Sequence, residues 1–286
     1  MTLVDLPTST IPAVNVASVP QRSPLRYPGG KTWLIPHIRH WLSEPGPLLV
    51  EPFLGGGIVA LTAVMEGLVS RALMVDLDRD VAAFWRAALM HGDELATRVM
   101  EFPVSRASIE ELEQQIPATV LDHGFRTLVL NRTRRGGVLA PGAALTRNGE
   151  NGNGVGSRWY PQTLVDRISA ITSHAERLTF CEGDGVAVLE LTAGIDGVRL
   201  FVDPPYTGRG GKRAGSRLYA HNAVCHRRIF DALASARCDF LMTYDCCPEI
   251  LDLVDEYHFE AVAVEMKNTH HNRIPELVIT RDRLFT

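Results

Sequence analysis

Residues 46–57 read Gly-Pro-Leu-Leu-Val-Glu-Pro-Phe-Leu-Gly-Gly-Gly, an apolar run that ends in three consecutive glycines. The apolar part predicts a buried strand over residues 48–53, and the stretch after the glycines predicts a helix over residues 58–66. Glycine lets the backbone approach a ligand, and a helix N-terminus offers unpaired N–H donors. The glycines therefore indicate either a binding loop or a tight strand-to-helix connection.

The alternation of strand and helix recurs along the chain, which predicts an α/β fold with a mostly parallel sheet. The two last β-rich runs are joined by a connector too short for a crossover helix, so they should pair antiparallel. The further predicted strands are residues 72–77, 178–181, 199–203, 240–244, 259–266 and 276–280, and the further predicted helices are residues 33–41, 81–90, 186–191 and 226–236.

Two segments fall outside this alternation. Residues 1–22 are rich in Thr, Ser, Pro and Val without a period, which is typical of a flexible leader. Residues 93–177 carry helical patterns around a glycine- and arginine-rich stretch, residues 132–160, that is too long for an ordinary connection. We therefore expect an α/β domain formed by residues 23–92 and 178–286, with residues 93–177 as a second, smaller module.

The composition is that of an ordinary globular protein: 286 residues, 45% hydrophobic and 22% charged. No apolar run approaches the roughly 20 residues that cross a bilayer, and the first residues lack the pattern of a secretory signal. The five cysteines form no CxxC pair, and the histidines show no ligand spacing. A cytoplasmic protein with reduced cysteines, no metal and no membrane contact is expected.

Positive charge is concentrated in two segments, although the net charge is −4. Residues 126–158 hold six arginines and one glutamate, and residues 207–228 hold five arginines and one lysine without an acid. Such clustering is typical of a polyanion footprint on an otherwise acidic body. The candidates for contacts with phosphates or base edges are Asn131, Arg132, Arg134, Arg135, Arg209, Lys212, Arg213 and Arg217.

An acid follows the glycine turn at the end of the next predicted strand. Asp76 lies about twenty residues beyond the turn, a spacing suited to accepting hydrogen bonds from ribose hydroxyls. The glycine pattern differs from GxGxxG, so an adenosine-type cofactor other than NAD is favoured. The alternative is that Asp76 or Asp78 caps the helix that begins near Val81.

The sequence Asp203-Pro204-Pro205-Tyr206 directly follows a predicted apolar strand. Consecutive prolines hold the backbone extended, which fixes the Asp203 carboxylate and the Pro204 carbonyl as a pair of acceptors. An exocyclic amine could donate one N–H to each, and Tyr206 offers a flat face on which a base can stack. A rigid exit from the strand, without a ligand, is the alternative.

Together with the turn at residues 26–31, Arg-Tyr-Pro-Gly-Gly-Lys, these segments resemble the Dam-type, D12 class family of adenine-specific DNA methyltransferases. Weaker matches follow at residues 243–245, 268–270 and 276–277. The resemblance implies a Rossmann-like S-adenosylmethionine-dependent methyltransferase fold with a mostly parallel sheet and an antiparallel last strand. It also implies that residues 93–177 form the target-recognition region.

The resemblance further implies transfer of a methyl group from S-adenosyl-L-methionine to N6 of a flipped-out adenine, with S-adenosyl-L-homocysteine as product and no metal. The implied cofactor contacts are Tyr27, Lys31, Phe53, Gly55, Gly57, Asp76, Asp184 and Asp203, and the implied catalytic residues are Asp203, Pro204, Pro205 and Tyr206. Glu182 is an alternative to Asp184. Because the lone pair of the amine is delocalised, acceptors at Asp203 and Pro204 would draw its nitrogen toward tetrahedral geometry.

Double-stranded DNA is the expected partner, with a cognate restriction or defence system as a further candidate and a monomer or weak dimer as the expected state. Within enzymes, the alternatives are methylation of adenine in RNA, of cytosine N4 or of a protein glutamine. A catalytically inactive DNA-binding relative is the alternative from another class. The aspartate before Pro-Pro-Tyr favours adenine by resemblance, and the intact Gly55, Asp76 and Asp203 favour an active enzyme.

Overall fold

The computed structural model describes residues 16–27, 29–140, 142–149, 152–206, 224–267 and 273–282. Within these residues the chain forms a seven-stranded sheet with helices packed on it. The strands are β1 (Gly46–Glu51), β2 (Val69–Asp76), β3 (Leu178–Glu182), β4 (Val198–Val202), β5 (Asp239–Asp245), β6 (Glu260–Lys267) and β7 (Arg273–Thr280). The helices are α1 (Ile35–Trp41), α2 (Ile58–Met65), α3 (Arg79–Met90), α4 (Gly92–Glu101), α5 (Arg106–Gln114), α6 (Val120–Thr133), α7 (Pro161–Thr172), α8 (Gly185–Thr192), α9 (His226–Ala234) and α10 (Pro248–Glu256).

The strand order in the sheet is β3-β2-β1-β4-β5-β7-β6. β1 pairs in parallel with both β2 and β4, whereas β7 runs antiparallel to β5 and β6. The predicted mostly parallel α/β sheet with an antiparallel last strand is therefore confirmed. The chain changes direction across the sheet between β1 and β4, and ligands of open α/β sheets bind at the carboxyl ends of the strands beside such a point.

Apolar side chains form two buried clusters around the sheet. One cluster contains Leu61 of α2 and Phe84 of α3, and the other contains Leu189 of α8 and Phe230 of α9. Burying one such large side chain contributes about 1.5–3 kcal/mol. The packing therefore fixes the strands, and with them the loops that leave their carboxyl ends.

Helices of the predicted insert pack directly on α3. Gly124 of α6 lies so close to α3 that an added Cβ would come within 2.4 Å of the Ala87 Cβ and 2.7 Å of the Ala83 carbonyl oxygen. Leu128 of α6 belongs to the same buried cluster as Phe84 of α3. The insert and the α/β domain share a hydrophobic core at this contact, and their division into two modules stays a prediction.

The last residues of the predicted leader lie against the body of the protein. Val19 is buried in the same cluster as α2 and α3, and the Nη2 atom of Arg22 lies 2.8 Å from the Oε1 atom of Glu66. Residues 1–15 lie outside the described residues.

Candidate active site

A cleft of about 520 Å³ opens at the carboxyl ends of β1, β2 and β4. Its volume is typical of a site for a small molecule or cofactor. All the residues that the sequence predicts to bind cofactor or to act in catalysis line this one cleft. They are Tyr27, Lys31, Phe53, Gly55, Gly57, Asp76, Asp184, Asp203, Pro204, Pro205 and Tyr206.

The loop between β1 and α2 is shaped by left-handed glycines. Gly55 has φ +48°, and a Cβ there would lie 2.5 Å from Cε1 of Tyr27. Gly57 has φ +63°, and a Cβ there would lie 2.7 Å from Cζ2 of Trp85. The indole N–H of Trp85 donates to the Gly55 carbonyl oxygen at 3.1 Å. The glycines therefore admit two aromatic rings that hold the floor of the cleft in place.

A matched pair of alanine variants separates the cost of backbone strain from the cost of the clash. Gly67 also has a positive φ, +72°, but open space surrounds its Cβ position. We expect Gly67→Ala to lower the free energy of unfolding by about 1–2 kcal/mol through backbone strain alone. Gly57→Ala should have this cost and, in addition, about 1–3 kcal/mol from overpacking against Trp85. Urea unfolding measures both, and equal losses would contradict the packing role.

Asp76 holds the glycine loop through its carboxylate. Its Oδ2 atom accepts from the Gly55 N–H at 2.7 Å, and its Oδ1 atom accepts from the Asp78 N–H at 2.9 Å. Burial raises the pKa of Asp76 to about 6. The role of helix cap belongs to Asp78, whose Oδ1 atom accepts from the N–H of Asp80 at 2.8 Å at the start of α3. Asp76 therefore faces the cleft while Asp78 caps the helix.

Two further acids line the cleft. Glu51, at the end of β1, is 3% exposed, and its Oε2 atom accepts from the Ala60 N–H in the first turn of α2 at 2.8 Å. Burial raises the pKa of Glu51 well above its usual range. Asp184 caps α8 by accepting from the Val186 N–H at 2.9 Å. Glu51 was not among the predicted site residues, although an acid that ends a buried apolar strand is a signal for such a position.

The Asp203 carboxylate lies at the centre of a polar network. Its Oδ2 atom is 2.8 Å from Nζ of Lys31, and its Oδ1 atom accepts from the hydroxyls of Thr243 at 2.8 Å and Tyr206 at 2.9 Å. Nζ of Lys31 also lies 3.0 Å from Oε1 of Glu276, which the Tyr206 hydroxyl contacts as well. The network fixes Asp203 at the mouth of β4.

The charges of this network are unequal. A single ammonium group faces two carboxylates: Lys31 is 3% exposed and Glu276 is 5% exposed, whereas the Asp203 side chain is 21% exposed. Burial lowers the pKa of Lys31, but Asp203 and Glu276 outweigh it and hold that pKa above the usual range. Burial raises the pKa of Glu276 despite the nearby Lys31. The ammonium group of Lys31 therefore stays charged between the two carboxylates.

Tyr206 is held by its ring as well as by its hydroxyl. Its ring stacks on that of Tyr244, with centroids 5.9 Å apart and an interplanar angle of 30°, and Nζ of Lys31 lies 5.1 Å from its centroid. Thr243, Tyr244 and Glu276 were not predicted as site residues, although their segments carry the weaker matches. A lone acid inside the apolar run of β7 was the signal for Glu276.

The residues predicted to contact DNA differ in how exposed their side chains are. Asn131 is fully buried, and its side chain donates to the carbonyl oxygens of Arg26 and Gly137, both at 2.8 Å. The Nη2 atom of Arg134 pairs with Glu113 at 2.5 Å, and the Nε atom of Arg132 donates to a backbone carbonyl. These three side chains are buried and hydrogen-bonded within the protein, and their contact with DNA stays a prediction.

Among the members of this group that the structure describes, Arg135 is the exposed one. The predicted contacts at Arg209, Lys212, Arg213 and Arg217 lie outside the described residues. Among the residues described, no group of His, Cys, Asp and Glu side chains could hold a metal ion. In that same part of the chain, every helix is too short or too polar to cross a membrane.

Solved structures of other proteins are similar to this chain over most of its length. Precorrin-6y C5,15-methyltransferase from Geobacter metallireducens GS-15 is 9% identical, with 98% of this chain and 95% of that chain covered and a TM-score of 0.38. An rRNA methylase from Streptococcus thermophilus is 12% identical, with 87% and 94% covered and a TM-score of 0.34. A SAM-dependent methyltransferase from Agrobacterium tumefaciens is 10% identical, with 86% and 61% covered and a TM-score of 0.36.

No curated protein matches this chain. The model of one family, described as D12 class N6 adenine-specific DNA methyltransferase, matches residues 27–118. The matched segment contains the glycine loop and Asp76, and Asp203 lies beyond it. Over residues 27–118 the chain therefore matches the D12 class of adenine-specific DNA methyltransferases, which confirms the resemblance that the motifs predict.

Proposed function

We propose that this protein is an S-adenosylmethionine-dependent DNA methyltransferase that modifies N6 of adenine. The family match supports methyltransferase activity. The single observation that carries the finer proposal is the shared cleft: Asp203 of the Asp-Pro-Pro-Tyr segment opens into the same space as Asp76 and the glycine loop. An acceptor for the target amine and a site for an adenosine-type cofactor are thus within reach of each other.

The residues of the cleft fit S-adenosylmethionine. The sulfonium and ammonium groups of this molecule are cationic, and acids outnumber bases among the lining residues. Asp76 retains acceptor capacity for ribose hydroxyls, because a carboxylate has about four lone-pair sites and two backbone N–H groups use only part of them. Phe53 offers a flat apolar face, and Asp184 lies at the start of α8 for polar contact with a base.

The cofactor supplies an electrophilic methyl group when bound. The chain's own part is to place the amine and make it a nucleophile. We assign this to the Asp203 carboxylate and the Pro204 carbonyl, which accept the two amine N–H groups and aim the nitrogen lone pair into the cleft. Lys31, Thr243 and Tyr206 hold the carboxylate before the substrate arrives, so no reorganisation is needed during the reaction.

The target base has to leave the duplex to reach this cleft, at a cost of a few kcal/mol. Stacking on Tyr206 would return about 1–3 kcal/mol of it. Because Tyr244 packs on the Tyr206 ring and Nζ of Lys31 lies 5.1 Å from its centroid, the base would stack on the part of the ring that these two contacts leave open. Arg135 is the exposed arginine beside α6 that we assign to a direct contact with DNA.

Nucleoside mass spectrometry after incubation of the protein with DNA and labelled S-adenosylmethionine tests the proposal. We expect the label in N6-methyl-2′-deoxyadenosine. Label in N4-methylcytosine, in RNA adenine or in protein would assign one of the other substrates. Cofactor binding without transfer to any of them would assign an inactive DNA-binding relative.

Cofactor affinity should depend on pH through Asp76. Because burial raises the pKa of Asp76 to about 6 and ribose hydroxyls prefer the ionised acceptor, bound cofactor should lower that pKa. Cofactor affinity is therefore highest above pH 6 and falls as the pH drops below 6, with a maximum slope of about tenfold per pH unit for a single titrating group. Calorimetry from acid to neutral pH measures this. Asp76→Asn should bind more weakly without that slope, and an unchanged slope would contradict the assignment.

A further inference from the structure

A second pocket, of about 280 Å³, lies beside the cleft. The two share four lining residues, Tyr27, Gly30, Gly56 and Ile58, so the wall between them is formed by the turn and the glycine loop. This second pocket is lined by Arg26, Arg132 and Arg167, together with the polar side chains of Gln21, Ser23 and Thr32, and no acid is among its lining residues. Its chemistry is therefore opposite to that of the acidic cleft.

Two of these arginines carry charge in a poorly hydrated place. Arg132 is 6% exposed, and its Nε atom donates to the Arg158 carbonyl oxygen at 2.9 Å. Arg167 of α7 is half-buried, and its Nη1 atom donates to the Ser23 carbonyl oxygen at 2.9 Å. Within the described residues, neither guanidinium forms an ion pair with a carboxylate. Their internal partners are backbone dipoles, which orient them but do not neutralise them.

The electrostatic cost of this arrangement is visible at Arg132. Burial, together with the smaller effect of the positive charges of Arg167, Arg26 and Arg158, lowers its pKa to about 9. Since a guanidinium in a protein stays protonated, the cost is not relieved by losing a proton. A buried charge of this kind is stabilised by a counter-charge, and the planar donors of arginine match the oxygen pairs of a phosphate.

We propose that the pocket formed by Arg26, Arg132 and Arg167 binds a phosphate group, and that the DNA backbone beside the extruded adenine supplies it. The backbone is favoured over free phosphate because the pocket shares a wall with the cleft that receives the base. A nucleotide whose base enters the cleft has its own phosphates at the rim, next to that wall. This inference rests on the proposed function, because it takes DNA as the substrate.

Arg167→Gln is the variant that tests the pocket, because Arg167 is half-buried and its replacement keeps an amide for the Ser23 carbonyl. We expect about tenfold weaker DNA binding, since the variant loses a charge-assisted hydrogen bond to a phosphate. The slope of log K against log salt should fall by about 0.9 for the lost phosphate contact. Arg199→Gln is the matched control, since Arg199 is partly buried and lies on β4 at a distance from the cleft.

The measurements are fluorescence anisotropy of labelled DNA across a salt series and thermal unfolding with inorganic phosphate at constant ionic strength. Circular dichroism confirms that each variant is folded, and Arg167→Lys, which keeps the charge, should restore most of the slope. A different outcome is that inorganic phosphate stabilises the wild type but not Arg167→Gln while the two proteins bind DNA with equal affinity. In that case the pocket binds free phosphate, and its assignment to the DNA backbone is overturned. If neither measurement depends on Arg167, the pocket is not a phosphate site.

The outcome is separable from that of the proposed function. A wild-type protein that methylates adenine in DNA while Arg167→Gln binds DNA with an unchanged slope would overturn the pocket alone. A wild-type protein that neither binds nor methylates DNA would overturn the proposed function, and the phosphate measurement would still test the pocket.

Discussion

Replacing Asp203 with asparagine is expected to reduce methyl transfer by about 10²–10³-fold, the cost of losing one preorganised polar group at a reacting centre. Asparagine fills the same volume but has lost the charge that polarises the target amine. The fold should survive, because Lys31 keeps Glu276 as a partner at 3.0 Å. Transfer of labelled methyl groups to DNA, measured in single-turnover conditions, gives the effect on the chemical step.

Cofactor affinity separates the two roles that Asp203 could have. Loss of turnover with cofactor still bound supports its contact with the amine, whereas loss of cofactor binding alone would assign it to the cofactor. Asp239→Asn is the control. Asp239 lies at the amino end of β5, away from the cleft at the carboxyl ends of the strands, and its carboxylate accepts from the Trp41 indole N–H at 2.8 Å. Turnover at the wild-type rate by Asp203→Asn would refute the proposed mechanism.

The sheet could be predicted because buried parallel strands leave a simple pattern. Each appears as a short apolar run ended by glycine, proline or acid, and the predicted strands coincide with β1 to β7 within a few residues at their ends. Two helices were missed. Only His91 separates α3 from α4, so the periodic pattern of apolar residues runs on from one helix into the next, and α10 begins at a proline after two cysteines. Neither boundary has a strong local signal.

The members of the candidate site could be predicted where topology alone brings them together. Asp76 and Asp203 follow strands of one parallel sheet, and such strands end at the same edge. Glu276 comes from β7, the antiparallel strand, whose register with Thr243 and Tyr244 of β5 is set by the pairing of Leu277 with Tyr244. That register is a tertiary property, so no local pattern reveals that Glu276 reaches Lys31.

For the arginines that are predicted to contact DNA, the sequence does not reveal which side chains are exposed. Arg132 and Arg134 belong to a segment in which arginines are concentrated, and yet both side chains are buried. The sequence shows that charge is concentrated, but it does not show which side of an amphipathic helix faces the body. Their partners, the Arg158 carbonyl and Glu113, lie far along the chain and in different elements. Only the folded structure separates Arg135, which is exposed, from its neighbours.

Replacing Lys31 with methionine is expected to lower the free energy of unfolding by about 3–5 kcal/mol, the cost of removing one partner from a buried ionic group. Methionine has a similar length, but it leaves Asp203 and Glu276 facing each other without the ammonium that lies 2.8 Å from one and 3.0 Å from the other. Urea unfolding measures the loss. Arg228→Met, which breaks an exposed pair with Glu190, is the control and should cost little.

A second substitution tests whether the loss arises from charge. In the Lys31→Met background, Glu276→Gln removes one of the two carboxylates and should restore part of the stability, whereas alone it should destabilise. The sign of the pH effect follows from the same repulsion. Carboxylates whose pKa is raised in the folded state bind more protons there than in the unfolded chain, so the deficit of Lys31→Met should shrink as pH falls. A deficit that is unchanged by Glu276→Gln and by pH would mean that Lys31 acts through packing alone.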